Sequence, residues 1–316
     1  MSFSQNVKTE LAHNESEKKC CKLAEIAGFA RMCGKLSFVG GGRVSLKLTS
    51  ENPAIARHFK LLLKDYFAAE SIIEIGQDSS PMHRKIYNLK LTDGEDSRTA
   101  ENILRESGIL VVRSGFDSIS DGILESLIKQ KCCRKAYLRG AFLGSGSMSD
   151  PEKSYHLEFV CSGEELASDL KKLINSFTGL NAKVTSRQGS YVVYLKDAEQ
   201  IGDMLNIMKA QQAFFALQDI RLTKEMRNIT NRLSNCDSAN SDKLVSAAQR
   251  QVAAIHRIED KRGLGSLPEK LEEIARLRLD NPFLGLSELA ELCEPKLTKS
   301  GVNGRLRRIE EIAEKL

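Results

Sequence analysis

The chain has 316 residues, 41% of them apolar and 28% charged, and no stretch approaches the ~18 apolar residues that a membrane span needs. Its first residues, Met1-Ser2-Phe3-Ser4-Gln5, lack the apolar run of a signal peptide, so a cytoplasmic protein with reduced thiols is expected and its eight cysteines need not pair. A net charge of +5 with a pI near 8.7 suits a polyanionic partner only if the charge is concentrated somewhere.

In chain order, 18–31 places Cys21, Leu23, Ala24, Ala27, Gly28 and Ala30 at helical spacing, and 44–49 alternates with a period of two. Gly40-Gly41-Gly42 reads as a flexible hairpin turn. Pro53 suits a first helical turn, after which Ile55, Phe59, Leu62, Leu63 and Tyr66 line one helix face. Strands are predicted over 72–75 and 86–91, which gives the order α, β, β, α, β, β, α. The pattern then returns. Lys19-Cys20-Cys21-Lys22, with Gly28 following, reappears 112 positions later as Lys131-Cys132-Cys133-Arg134, with Gly140 following. After one deleted residue, Leu46, Leu48, Ile55, Phe59, Leu62 and Tyr66 match Leu157, Phe159, Leu166, Leu170, Leu173 and Phe177. The second copy predicts a helix over 131–143, a strand over 155–161, a helix over 164–177 and strands over 182–186 and 191–195, the last two joined by a Gly189-Ser190 turn. Such a duplication implies a pseudo-twofold α+β domain over 1–218, with repeats at about 15–110 and 128–210.

A segment of different character, 219–266, follows. It holds nine basic residues against six acids, and helical spacing is predicted over 220–233 and 242–257. Its polar middle, Asn231 to Asn240, reads as a turn, and Gly263 with Gly265 marks a second break.

The remaining residues, 267–316, read as three helices. Pro268 opens the first, whose apolar face is Leu271, Ile274, Ala275 and Leu279, and Asn281-Pro282 stops it. Ser287 suits the N-cap of a short second helix reaching Cys293, and Glu294-Pro295-Lys296-Leu297 makes the turn. Thr298 caps the third, with Val302, Leu306 and Ile309 in one stripe and Ser300, Gly304, Arg307 and Arg308 opposite, Lys299 and Asn303 at the edge. Between Pro295 and Ile309 there are five basic residues, Lys296, Lys299, Arg305, Arg307 and Arg308, and no acidic one. A short second helix and a basic third one describe a helix-turn-helix whose last helix enters the major groove. Arginine can pair with guanine and asparagine with adenine, while Lys296, Lys299 and the amides following Thr298 can hold phosphates. Gly301 and Gly304 each cost about 1 kcal/mol of helix stability relative to alanine, and close approach to a DNA backbone would compensate. The alternative is a helical module that binds another protein through its solvated arginines.

Leu138-Arg139-Gly140-Ala141-Phe142-Leu143-Gly144-Ser145-Gly146 resembles the LAGLIDADG motif of homing endonucleases, and Ile26-Ala27-Gly28-Phe29-Ala30-Arg31-Met32-Cys33-Gly34 is a weaker match. The small residues Ala27, Gly28, Gly140 and Ala141 suit two closely crossing helices. In that family each motif helix ends on an acid that binds a divalent metal for phosphodiester cleavage. Cys33 and Ser145 occupy those positions here, so the resemblance implies a fold without the nuclease chemistry. Together with the middle motif Asn231-Arg232-x-x-Asn235-Cys236-Asp237-x-Ala239-Asn240-x-x-Lys243 and the terminal helix-turn-helix, the whole chain resembles the WhiA family. That resemblance implies a DNA-binding regulator of bacterial cell division, chromosome segregation and, in some species, sporulation, associated with the nucleoid. It also implies a terminal domain similar to sigma factor region 4, which reads promoter DNA and allows contact with RNA polymerase or another transcription regulator. Ser287 and the residues 296, 298–301, 303–305, 307 and 308 named above form the expected DNA-binding set. The linker motif contributes Asn231, Arg232, Asn235, Asp237, Asn240 and Lys243.

Two roles stay open for the duplicated domain: phosphate contacts through Lys47, Arg84, Lys85, Lys183, Arg187 and Lys196, or binding of a protein partner or second protomer. Other enzyme classes find little support. His13, His58, His83, His156 and His256 form no metal-binding pair, and Gly144-Ser145-Gly146 lacks the setting of a phosphate loop. Cys20-Cys21 and Cys132-Cys133 are adjacent pairs, and Cys161, Cys236 and Cys293 lie far apart, so zinc-ligand spacing is missing. The cysteines read as buried small apolar residues, and neither metal nor cofactor is expected.

Overall fold

The computed structural model describes residues 2–16, 18–39, 43–78, 84–91 and 98–316, of which the side chains at 38, 39 and 43 are left aside. The turn expected at Gly40-Gly41-Gly42, and His83, lie outside the described residues. The chain divides into two units, Met1–Thr223 and Lys224–Leu316.

In the first unit, helix α1 (Phe3–Ala12) precedes two copies of one arrangement. The first copy runs α2 (Lys19–Cys33), β1 (Gly34–Val39), β2 (Arg43–Ser50), α3 (Pro53–Phe67), β3 (Ser71–Gln77), β4 (Lys85–Leu91) and α4 (Thr99–Glu106). After the hairpin β5 (Leu110–Arg113) and β6 (Phe116–Ile119) comes the second: α5 (Lys131–Ser145), β7 (Gly146–Met148), β8 (Leu157–Cys161), α6 (Glu164–Asn175), β9 (Lys183–Arg187), β10 (Ser190–Leu195) and α7 (Ala198–Met208). The predicted order is therefore present in both halves. The sheets have equivalent antiparallel orders, β1-β2-β4-β3 and β7-β8-β10-β9. Alternation decides their inner faces: Leu46, Leu48 and Leu89 in one sheet, and Leu157, Phe159, Val193 and Leu195 in the other, are buried in a shared core. Local chemistry sets the helix starts. Asn52 Oδ1 accepts from the Ala54 amide at 2.9 Å ahead of Pro53, and Asp197 accepts from the amides of Glu199 and Gln200.

Helices α2 and α5 run side by side in the same direction, Glu25 meeting Arg139 and Met32 meeting Gly144. A Cβ on Gly28 would collide with the Tyr137 carbonyl oxygen, and one on Gly140 with the Glu25 carbonyl oxygen. Backbone therefore lies on backbone, a spacing that only glycine at both positions permits. Sealed against this contact, the Arg139 guanidinium donates to both Glu25 carboxylate oxygens and to the Ser16 hydroxyl, while His58 Nε2 lies 3.0 Å from Glu25 Oε1. Glu25 and Arg139 are both buried. Burial alone would raise the Glu25 carboxyl, but the hydrogen bonds from Arg139 and His58 outweigh it and hold the group below the usual carboxylate range.

In the second unit, the end of helix α8 (Gln211–Arg262) packs with α9 (Glu269–Asp280), α10 (Leu286–Glu291) and α11 (Lys299–Glu314). Its core includes Ile255, Ile258, Leu271, Ile274, Leu289, Cys293, Val302, Leu306 and Ile309. One expectation fails here: the polar middle of the linker is not a turn, because α8 is continuous through it. Asn, Ser and Asp each weaken a helix by only a few tenths of a kcal/mol, and the segment contains neither proline nor glycine to end it. The break falls at Gly263, whose φ of 75° is left-handed. Among the described residues no helix is long and apolar enough to cross a membrane.

The helix contact predicts that Gly28→Val or Gly140→Val lowers stability by at least about 3 kcal/mol, measured by chemical denaturation, because the obstacle is backbone and cannot swing away. The ion pair predicts that Glu25→Gln, which leaves Arg139 buried without its counter-charge, costs about 3–5 kcal/mol near neutral pH, while Glu25→Leu with Arg139→Met costs less than either single change. Because the folded Glu25 carboxyl lies below its unfolded value, the pair's stabilisation is full above the ordinary carboxylate range and is lost as pH falls through the folded value. Thermal unfolding between about pH 7 and pH 3 should therefore show a steeper acid decline for the native protein than for Glu25→Gln.

Candidate nucleic-acid interface

The terminal unit forms its basic helix as the spacing predicts. Thr298 Oγ1 accepts from the Gly301 amide at 3.1 Å, fixing the start of α11. Val302, Leu306 and Ile309 are at most 1% exposed, so one side of the helix is committed to the core. On the other side Ser300, Gly304, Arg307 and Arg308 are exposed, and Lys299 and Asn303 are exposed along its edge. Among the described residues none of Lys299, Arg307 and Arg308 has an acidic partner within ion-pair distance, which leaves two arginines on the outer face and a lysine and a carboxamide along its edge. The amides of the first turn beyond Thr298 add the positive end of the helix dipole.

Three residues of the expected set stand differently. Arg305 is half-buried, with its guanidinium 3.7 Å from Glu273 and donating to the Lys270 carbonyl at 3.3 Å, so it braces α11 against α9. The reason is angular: at about 100° per residue, position 305 falls beside the apolar stripe and not opposite it. Lys296 is exposed but paired with Glu291 at 2.6 Å. Ser287 does not cap α10. Gly285 occupies that position in extended geometry, and its amide donates to Glu288 Oε2 at 2.7 Å, which leaves Ser287 exposed inside the first turn. A residue that sequence reasoning missed is Arg278, only 2% exposed, which donates to the Leu284 carbonyl at 2.8 Å and more weakly to those of Asn281 and Pro282. It ties down the loop between α9 and α10, and its available signal was a cation in the last turn of a helix, where carbonyls lack partners.

Asn231, Arg232, Asn235, Asp237, Asn240 and Lys243 are all exposed on α8. They do not share one face. At about 100° per residue Asn231 and Asn235 lie within one quadrant, whereas Asp237 and Asn240 point to the other side.

In the duplicated unit, strand parity puts Lys47, Lys183 and Arg187 on the sheet faces opposite the buried leucines. Lys35 and Lys90 join them there, unrecognised from the sequence, with Lys90 paired to Glu74 at 2.6 Å. Lys85 has the opposite parity, Arg84 lies 3.6 Å from Glu51, and Lys196 stands 5.1 Å above the Tyr194 ring. At the carboxy-terminal ends of α2 and α5 the structure places Cys33, whose thiol donates to the Phe29 carbonyl at 3.2 Å, and Ser145, whose buried hydroxyl has no partner among the described residues. Burial pushes the Cys33 thiol up to about 12. Neither offers a hard cation the carboxylate oxygens it favours.

The cysteine expectation is corrected in two respects. Cys20 and Cys236 are exposed and Cys33 and Cys132 only partly buried, so half of the eight are not core residues. Moreover, the thiols of Cys20, Cys21, Cys132 and Cys133 all lie within 4.8 Å of one another, at the amino-terminal ends of α2 and α5. The spacing rule could not reveal this, because it looks for ligands along the chain and these meet across the duplication.

Three family models match the chain: the WhiA N-terminal LAGLIDADG-like domain over residues 19–110, the WhiA LAGLIDADG-like domain over 134–227 and the WhiA C-terminal HTH domain over 230–313. A probable cell division protein WhiA from Alkaliphilus oremlandii (strain OhILAs) is 48% identical over 317 residues, covering 100% of this chain and 98% of the relative. One from Clostridium perfringens (strain 13 / Type A) is 47% identical over 316 residues with the same coverage. The crystal structure of full-length WhiA from Thermatoga maritima matches with a TM-score of 0.60 at 25% identity, covering 100% of this chain and 99% of that one.

The different placements of the arginines yield a prediction. Arg305→Ala should lower the stability of the terminal unit by about 1 kcal/mol, whereas Arg307→Ala and Arg308→Ala should stay within about 0.5 kcal/mol of the native protein. Urea titrations followed by circular dichroism would measure both.

Proposed function

The chain belongs to the WhiA family, and from that premise we propose that it is a sequence-specific, non-enzymatic DNA-binding regulator that acts on promoters in bacterial cell division. The observation that carries this reading is the exposed surface of α11, where Ser300, Gly304, Arg307 and Arg308 stand opposite a fully buried stripe and Lys299 and Asn303 flank them. In this reading Asn303, Arg307 and Arg308 reach base edges, while Lys299, Ser300 and the amides beyond Thr298 hold phosphates. The outward lysines and arginine of the two sheets, Lys47, Lys183 and Arg187, add phosphate contacts that carry no sequence information. The duplicated unit cuts no DNA, since Cys33 and Ser145 stand where cleavage needs carboxylates. Chromosome segregation, and sporulation in a cell that sporulates, are the further processes assigned to it, with the protein resident on the nucleoid.

A protein partner, such as RNA polymerase or another regulator, is the second reading for one surface. Met226, Ile229 and Leu233 recur at intervals of three and four along α8 and are each more than half exposed. An apolar row of this kind in water is characteristic of a contact surface.

Chromatin immunoprecipitation tests the main reading by comparing the native protein with an Asn303→Ala, Arg307→Ala, Arg308→Ala variant that keeps Arg305 and hence the fold. Discrete promoter peaks that vanish in the variant are expected. In vitro, the slope of log K against log salt should fall by about one unit for each phosphate contact removed. Peaks that persist unchanged would defeat the assignment to α11, and plasmid nicking in magnesium that stops on chelation would defeat the non-enzymatic one.

A further inference from the structure

Among the described residues only one group of three or more Cys, His, Asp or Glu side chains gathers closely enough to hold a single ion, and it consists of four thiols. Cys20 and Cys21 are the second and third residues of α2, and Cys132 and Cys133 hold the same places in α5. The two pairs meet because α2 and α5 are in contact and run in the same direction. Their adjacency in sequence is no obstacle, since the Cys132 and Cys133 sulfurs are 3.9 Å apart.

Geometry selects the kind of occupant. A zinc–sulfur bond of about 2.3 Å places the four sulfurs of a tetrahedron about 3.8 Å from each other, and here all four lie within 4.8 Å. Closing that difference takes small rotamer adjustments of four short side chains. An iron–sulfur cluster inserts several metal and sulfide atoms between its thiolates and would hold them farther apart, so the site fits one ion and not a cluster. Four soft sulfur donors at tetrahedral spacing favour zinc over magnesium or calcium, which take oxygen.

The surroundings supply what such a site requires. Four thiolates around one divalent ion leave a double negative charge. Neither helix start has a side-chain cap, Lys18 and Gln130 making no such bond, so the first-turn amides and both helix dipoles favour an anion there. A pocket of about 140 Å³ reaches Cys21 and Cys132 from solvent, and Lys18, Lys135 and Lys209 line its walls. It provides both an entry path and positive charge. In the thiol form Gln130 Oε1 accepts from Cys132 at 3.4 Å and from Cys20 at 3.8 Å, and once the thiols have lost their protons the same amide, turned over, presents N–H donors to the thiolates.

We propose that Cys20, Cys21, Cys132 and Cys133 form a mononuclear tetrathiolate zinc site that staples the two repeats together at the amino-terminal ends of their paired helices. Each thiol gives up its proton to solvent as the ion binds, and no oxidant or reductant takes part.

Full-length protein, reduced and freed of metal under inert gas, would be titrated with cobalt(II) as a spectroscopic stand-in for zinc. Saturation at one equivalent per chain is expected, with the intense visible bands and sulfur-to-metal charge transfer of tetrahedral thiolate cobalt, and zinc should abolish the spectrum. The Cys20→Ser, Cys132→Ser variant changes the two more accessible thiols, and circular dichroism would check its fold. It should lose the cobalt spectrum and also the rise in Tm that zinc gives the native protein. Cys236→Ser, outside the cluster, should keep both. A reduced, folded native protein that takes up no cobalt would overturn the site, as would a double variant that binds as the native does. Disulfides joining these cysteines in protein isolated under inert gas, with no uptake after reduction, would overturn it too.

Discussion

Everything in the first unit depends on two helix backbones touching. Gly28 and Gly140 stand 112 positions apart, each presses against the opposite carbonyl, and any side chain at either point would push the repeats apart. Once the backbones meet, the space between the helices excludes water and the charge of Glu25 must be answered from the other repeat. Arg139 answers it, with Ser16 and His58 completing the hydrogen bonds of the carboxylate. A buried pair of this kind contributes little net stability, because desolvation consumes most of its Coulomb attraction. Its value lies in selection. The duplication counterpart of Glu25 is Tyr137, and that of Arg139 is Ala27. A first repeat set against another first repeat would therefore bury two acids without an arginine between them, leaving each only its own His58, so the pair favours association of a first repeat with a second over association of two first repeats.

What the sequence disclosed and what it withheld follow one division. Order along the chain was legible, because helix and strand periods are local. The order α, β, β, α, β, β, α, the repeats and the capped basic helix were read from residues near each other. Cys33 and Ser145 were legible as the ends of two paired motifs, and both stand at the carboxy-terminal ends of α2 and α5. Relations between distant residues were not. Arg305 belongs to a basic run, yet only the packing of α9 shows that its guanidinium turns to Glu273. Ser287 satisfies a capping preference, but Gly285 with Glu288 two positions earlier makes a competing and better satisfied start. The polar stretch of α8 looked like a turn because its residues compete weakly with the helix, although nothing in it terminates one.

The terminal helix shows how one period can distribute two duties. Val302, Leu306 and Ile309 fix the rotation of α11 about its axis, and that rotation alone determines which cations face outward. Arg305 falls on the wrong side and becomes structural. Arg307 and Arg308 fall on the free side, and among the described residues neither stands within ion-pair distance of a carboxylate. Charge count along a segment is therefore a poor guide to a nucleic-acid surface; charge phase relative to the buried stripe is the better one.

The same reasoning applies to the paired helices of the duplicated unit, whose two ends carry different chemistry. At the carboxy-terminal end stand the Cys33 thiol and the Ser145 hydroxyl, neither of them a carboxylate donor for a hard cation. At the amino-terminal end four soft donors gather from both repeats, where the helix dipoles favour negative charge. The carboxylates of a nuclease would act on a bound substrate, whereas the thiols lie at a contact between repeats. A metal held there would resist separation of α2 from α5 at the end farthest from the Met32–Gly144 contact, with the glycines and the buried ion pair between them. In this chain, whose paired helices end on Cys33 and Ser145, the contact between repeats is the feature that such a metal would serve.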